Sequence, residues 1–371
     1  MDERGEITDD SRIQAALPTI KYLVNQRARV VLISHLGRPK GKVVDKLRLT
    51  VIAQRLSQIL GRPVGTVKDC IGPEAEKAVG ELNNGEVLLL ENVRFHPEEE
   101  ENDTSFAQAL ARLGDIFVND AFGAAHRTHA SIVGIANYLP AVAGLLLEKE
   151  IKTLGGILEN PAHPFALLLG GAKVSDKIGL LENIRDKVDS LLIGGGMAAT
   201  FLKAKSYEVG LSLVEEDLLE FVTKLVGDIT VQGARLLLPL DVIVADSLST
   251  DAEFRTVSVE NIPLDSKIVD IGPLTIDIFS RELKGCNIVF WNGPMGIYEI
   301  PQFAAGTQAM ARLLANLKAT TVIGGGSTAE VVTEMGLAGR MTFVSTGGGA
   351  SLNFLSGKVL PGVEVLMDKE V

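Results

Sequence analysis

Residues 167–196 read LLLGGAKVSDKIGLLENIRDKVDSLLIGGG. Three uninterrupted leucines end at Gly170, a helical pattern occupies Asp176–Asp186, and Leu191-Leu192-Ile193 ends at Gly194. An apolar run without alternation marks a strand covered on both faces, and a helix between two such runs makes a βαβ crossover. The same rhythm continues on both sides. Val30–Ile33, Val87–Leu90 and Ile116–Val118 precede it; Val242–Val244, Ile288–Phe290 and Thr321–Ile323 follow. Helical patterns at Ser11–Asn25, Leu49–Leu60, Thr104–Leu113 and Phe303–Leu317 lie between them. The reading is an α/β fold with parallel sheets.

At 371 residues the chain exceeds one ordinary core, so two domains are expected. A helix over Leu145–Glu159 followed by Asn160-Pro161-Ala162-His163-Pro164 places a hinge there. The predicted division is 1–144, a hinge helix 145–160, and 161–351. Apolar residues make up 46% and charged residues 22%, the balance of a soluble protein. No apolar run is long enough for a membrane span, and the acidic start (Asp2, Glu3, Glu6, Asp9, Asp10) has no signal core. Cys70 and Cys286 are far apart, which fits a reducing cytoplasm rather than a disulfide framework. A net charge of -11 disfavours nucleic-acid binding.

Ligands of open α/β sheets bind beyond the carboxyl ends of the strands, so the residues after each strand carry the chemistry. In the first half those endings are basic. They deliver His35, Arg38, Arg94 and Arg127, a set suited to a small anion, because arginine forks match carboxylates and phosphates. His126 and His129 lack partners at metal-ligand spacing. In the second half the endings are glycines: Gly170-Gly171, Gly194–Gly196, Gly293, Gly324–Gly326 and Gly347–Gly349. Glycines let backbone amides approach a phosphate, helix starts add partial positive charge, and Lys173 with Lys177 supplies point charges. Neither the P-loop spacing nor a dinucleotide fingerprint is present, which counts against a nicotinamide-dependent dehydrogenase. An anion domain and a phosphate-cradling domain with facing rims suit phosphoryl transfer, with hinge closure excluding water.

The segments SHLGRP (34–39), ENVRF (91–95), DAFGAAHR (120–127), GGAKVSDK (170–177), WNGPMG (291–296) and STGGGAS (345–351) resemble the phosphoglycerate kinase family in sequence and order. The similarity runs from about Ile7 to Leu360-Pro361-Gly362-Val363. It implies two Rossmann-like domains, the first for 3-phosphoglycerate and the second for Mg-nucleotide, with the stretch after about 351 packing back on the first domain. It implies reversible transfer between ATP and the acceptor carboxylate, giving ADP and 1,3-bisphosphoglycerate, in a cytoplasmic monomer. By the same resemblance, Arg12, His35, Arg38, Arg94 and Arg127 hold the phosphoglycerate, and Arg12 and Lys173 stabilise the transferring group, with Gly325 and Gly348 beside it. Gly171, Lys177, Gly194, Gly195, Asn292, Pro294, Gly296, Glu299, Gly324, Gly326, Ser327 and Thr328 line the nucleotide, with Glu299 on the ribose.

Two departures stand out. The family's opening strand, with its Arg-x-Asp-x-Asn motif, has no counterpart before Met1-Asp2, so an incomplete first sheet, lower stability and reduced activity are expected. A truncated, non-catalytic nucleotide binder is the corresponding rival. Ser327 stands where the family usually has Asp, which predicts weaker Mg-ADP binding and leaves the metal ligands unassigned.

Overall fold

A computed structural model describes residues 5–231 and 233–367. The chain forms two compact units, one running to Lys152 and rejoined from Val359 onward, the other Thr153–Lys358. The division thus falls inside the helix Leu145–Glu159 rather than at its ends, and residues 352–358 stay with the second unit.

In the first unit β1 (Val30–Leu32), β2 (Val64–Thr66) and β3 (Val87–Leu89) form a parallel sheet of order β1-β3-β2. A separate parallel pair joins β4 (Phe117–Asn119) to β5 (Ala141–Ala143). Alternate residues of a strand face opposite sides, and that alternation splits the core. Val87 joins Leu17, Ile20, Val24 and Leu56 from the helices Ser11–Asn25 and Thr50–Leu60. Leu88 and Leu90 pack on the other side with Phe106 and Leu110. The helix Leu145–Glu159 begins where Asp120 Oδ1 accepts the amides of Leu146 and Leu147 and Thr19 Oγ1 accepts that of Leu145. These side chains satisfy donors that a helix start otherwise leaves unpaired. The returning segment is fastened by main chain: Gly362 N–H donates to Ala125 O, and Met367 N–H to Ala141 O. Asn119 Nδ2 donates to Gly362 O.

In the second unit β6 (Phe165–Leu169), β7 (Ser190–Ile193) and β8 (Arg235–Leu237) share a parallel sheet with β12 (Ile288–Asn292), β13 (Thr320–Gly324) and β14 (Phe343–Val344). Its order, β14-β13-β12-β6-β7-β8, runs outward in both directions from the β6–β12 junction. Such a reversal opens a crevice at the carboxyl ends of those two strands. Every residue of β6, β7 and β12 is buried, as their uninterrupted apolar runs require. Leu168, Leu192, Trp291, Phe279 and Met310 fill the core here, and each large apolar side chain contributes roughly 1.5–3 kcal/mol by leaving water.

One strand departs from the expected parallel pattern. Val242–Val244 lies within β9 (Asp241–Ala245), the middle of an antiparallel sheet with β10 (Phe254–Ser258) and β11 (Lys267–Ile271). A short apolar run reports burial but carries no information on the direction of its partner. Only the short link from Ala245 to Phe254, too brief for a helical crossover, favours the antiparallel arrangement.

Candidate functional site

The first unit brings its basic residues together through the loops that follow β1, β3 and β4. The loop after β3 is a rigid support. Asn92 Nδ2 donates to Leu36 O and Leu47 O, and Glu91 accepts from Leu49 N–H and from Arg48. Arg94 projects from it, 5% exposed. One terminal nitrogen donates to Gly37 O at 3.0 Å, and its Nε stands 3.3 Å from Glu100 Oε1. Among the described residues Nε and the second terminal nitrogen have no hydrogen-bond acceptor. Burial, then the charge of Arg127, lowers the pKa of this guanidinium; Arg38 adds to the effect, and Glu100 and Glu99 oppose it. The charges of Arg127 and Arg38 therefore both reach Arg94.

His35 joins them. The residue is exposed at the surface, although surrounding protein shields part of it from solvent. Burial there, then the charges of Arg94 and Arg127, lowers its pKa to about 4. Water on the open face softens that shift, but its direction leaves the imidazole neutral at pH 7. Glu99 is buried, which opposes its charge, while His129 at 3.6 Å and two hydrogen bonds from Ser131 hold its carboxylate below the usual range. Arg12 is exposed near the start of the helix Ser11–Asn25, and no hydrogen bond or ion pair ties it to this group among the described residues. His96, next to Phe95 in the sequence, turns to Asp69 instead of the arginines.

In the second unit the glycine turns pack on one another at the β6–β12 crevice. Gly170 N–H donates to Asn292 O, Gly171 N–H to Pro294 O, and Gly195 N–H to Met295 O. A cleft of about 970 Å³ opens beside them, lined by Gly171, Gly196, Pro294, Gly296, Glu299 and Ser327 among others. That volume lies in the range of small-molecule pockets. Gly194 and Gly195, read as cleft residues, are not on its wall. A Cβ on Gly195, whose φ is +64°, would lie 2.5 Å from Gly171 N, and one on Gly194 would meet Met295 Sδ at 2.6 Å. Those two glycines serve loop packing; Gly196 reaches the cleft.

Asn292, Gly324 and Thr328 are likewise buried rather than on the wall. Thr328 Oγ1 accepts from Gly293 N–H at 2.7 Å, tying the β13 turn to the β12 turn. Asn292 Nδ2, without a hydrogen-bond acceptor among the described residues, faces Gly325, where a Cβ would stand 2.9 Å away. Gly325, at φ +96°, precedes the helix Gly326–Glu334. A Cβ on Gly348, which begins the helix Gly348–Leu355, would lie 3.1 Å from Gly326 N, so two helix starts adjoin. Lys177 is buried with Nζ against Gly171; burial lowers its pKa, while Asp176 and Glu215 oppose the shift. Lys173 is exposed beside Glu215, which accepts from the Val174 and Ser175 amides.

The cleft's other wall was not read from the sequence. Val209, Leu211, Leu213, Leu248 and Ile268 form it, with Tyr298 nearby. The alternation Val209-Gly-Leu211-Ser-Leu213 was a signal available for it, since period-two apolar residues mark a half-covered extended segment. Tyr298 hydroxyl donates to Glu330 at 3.0 Å and also meets Ser327.

The family model for phosphoglycerate kinase matches residues 1–358, across the anion rim and the cleft alike. The chain belongs to the phosphoglycerate kinase family. The phosphoglycerate kinase of Pelotomaculum thermopropionicum is 54% identical over 367 residues, covering 99% of this chain and 93% of that protein. That of Synechococcus elongatus is 55% identical over 372 residues, covering 99% and 92%. Among solved structures, phosphoglycerate kinase from Coxiella burnetii matches with a TM-score of 0.84 at 41% identity, covering 98% of this chain and 92% of that one. The Pyrococcus horikoshii phosphoglycerate kinase matches at 0.86 and 32% identity, covering 99% and 93%. The match to the family therefore reaches well beyond the six short segments that first suggested it, to the antiparallel sheet and the apolar wall.

Proposed function

We infer that this chain is a phosphotransferase that moves a phosphoryl group reversibly between ATP and the carboxylate of 3-phosphoglycerate, giving ADP and 1,3-bisphosphoglycerate. The observation that carries it is family membership across both units. An acceptor carboxylate is ionised at pH 7 and needs no base. Catalysis then rests on positioning and charge neutralisation, which suits a chain offering arginines, lysines and helix starts.

In this reading Arg38, Arg94, Arg127 and neutral His35 hold the phosphoglycerate, and Arg12 stabilises charge on the transferring group. The Gly171 turn and Lys177 receive nucleotide phosphates, Lys173 follows the transferring group, and Gly325 and Gly348 present helix amides to it. Glu299 and the apolar wall hold the nucleoside. Mg2+, when bound with the nucleotide, would neutralise phosphate oxygens. The residues present fit it: Ser327 and Glu330 offer hard oxygen donors at one corner, both against the Tyr298 hydroxyl. We also propose a cytoplasmic monomer. Among the described residues no helix is long and apolar enough to cross a membrane.

Purified chain supplied with Mg-ATP and 3-phosphoglycerate, with hydroxylamine to trap the acyl phosphate, tests the reaction. Hydroxamate formation dependent on both substrates is expected. Nucleotide binding without hydroxamate would favour the non-catalytic reading instead.

A further inference from the structure

Outside the anion rim, the first unit gathers three side chains of different donor type. Strands β2 and β3 are neighbours in the sheet, and the loops leaving their carboxyl ends carry Asp69-Cys70 and His96. Asp69 Oδ1 accepts from Cys70 N–H at 2.7 Å and lies 2.7 Å from His96 Nε2. One donor atom from each of Asp69, Cys70 and His96 lies within 4.8 Å of the others. Exposure is graded across the group. Cys70 is 1% exposed, the His96 side chain 27% and the Asp69 side chain 48%. The thiol thus forms the floor and the carboxylate the mouth. The His96 ring is braced by Phe106, with centroids 5.2 Å apart.

We propose that Asp69, Cys70 and His96 form a site for one borderline-soft divalent cation of the zinc type, with its fourth position open to solvent. Thiolate, imidazole and carboxylate are the donors such ions take, and three protein ligands with one open position is a recognised zinc arrangement. A thiolate and a carboxylate balance the ion's two charges, so a half-buried site gains no net charge. The sulfur donor selects against Mg2+, which separates this site from any metal that accompanies the nucleotide. On binding, the Cys70 proton passes to solvent, and the ion replaces the hydrogen bond between His96 and Asp69. Without metal, burial and the neighbouring Asp69 charge push the thiol's pKa up, so Cys70 rests protonated and unreactive. Occupancy would staple the start of the helix Gly72–Gly80 to the loop that carries Arg94.

The test uses the full chain, stripped with chelator and titrated with Co2+, watching the near-ultraviolet sulfur-to-cobalt charge-transfer band. The expected result is a band that saturates at one Co2+ per chain, is displaced by Zn2+, and is unchanged in Cys286→Ser. Cys70→Ser should abolish it. His96→Gln, at a partly exposed position and checked for folding by circular dichroism, should weaken Co2+ binding at least about tenfold, the lower range for loss of even an outer-shell partner. No band in the unmodified chain, a band that survives Cys70→Ser, or equal affinity in folded His96→Gln would overturn the proposal. Should Cys70→Ser fail to fold, His96→Gln and Cys286→Ser decide between the same outcomes.

Discussion

Arg94 holds a guanidinium in the protein interior with one terminal nitrogen short of an acceptor among the described residues and Nε held only by its ion pair with Glu100. Leaving such a donor unpaired costs roughly 1–3 kcal/mol, more when it is charged, so the free enzyme carries a deficit that an anionic ligand would remove. Arg94→Lys keeps the charge but loses the planar fork. A charge-assisted hydrogen bond is worth about 1.5–3 kcal/mol, so the KM for 3-phosphoglycerate should rise by about tenfold to a hundredfold. The KM for ATP should stay within about twofold, as steady-state kinetics varying each substrate in turn would show. An unchanged phosphoglycerate KM would remove Arg94 from the site. The placement of arginines just after strand ends was legible in the sequence because unbroken apolar runs mark where those strands stop. Glycines were less so. Gly195 and Gly196 look alike in a string, yet only the fold shows that one approaches neighbouring backbone and the other lines the cleft.

Strand β11 illustrates the same problem for an element. Its Asp270 is 1% exposed and accepts from Gly306 N–H at 2.7 Å and Ile271 N–H at 2.8 Å. A Cβ on Gly296 would lie 2.4 Å from Asp270 Oδ1, so the carboxyl group joins β11, the loop after β12 and the helix Ala305–Leu314. Burial raises its pKa to about 7, with the two backbone hydrogen bonds opposing. A carboxyl whose folded pKa lies above its unfolded value favours the folded state below the unfolded pKa and loses that contribution as pH rises through the folded value. The window is therefore about pH 4 to about 7. Asn at 270 does not titrate, so the melting temperature of the parent minus that of Asp270→Asn should fall as pH rises across that window. A flat difference would show that Asp270 is ionised throughout. Parallel strands were legible because burial on both faces leaves unbroken apolar runs. The β9–β11 sheet was not, because Phe254–Ser258 is largely exposed and its partner direction rests on a short link that holds no Gly, Pro or Asn.

Each unit carries its own sheets, its own core clusters and its own set of candidate ligand groups, and this separation has a thermal consequence. A ligand that binds only the folded form stabilises by RT ln(1 + [L]/Kd), about 2.7 kcal/mol at a hundred times Kd. For domains of 150–250 residues each kcal/mol moves the melting temperature by about 2–4 °C. Saturating ADP should therefore raise the melting of the unit Thr153–Lys358 by about 5–10 °C, and 3-phosphoglycerate should act on the other unit. Scanning calorimetry, with amide exchange to assign each transition, separates the two effects. Two transitions that respond selectively would show that the units unfold independently and that each owns its ligand. A single transition raised by either ligand would mean that the helix Leu145–Glu159, shared across the division, couples both cores into one cooperative body. Selective shifts with the ligands exchanged would reverse the assignment of the anion rim and the glycine-lined cleft.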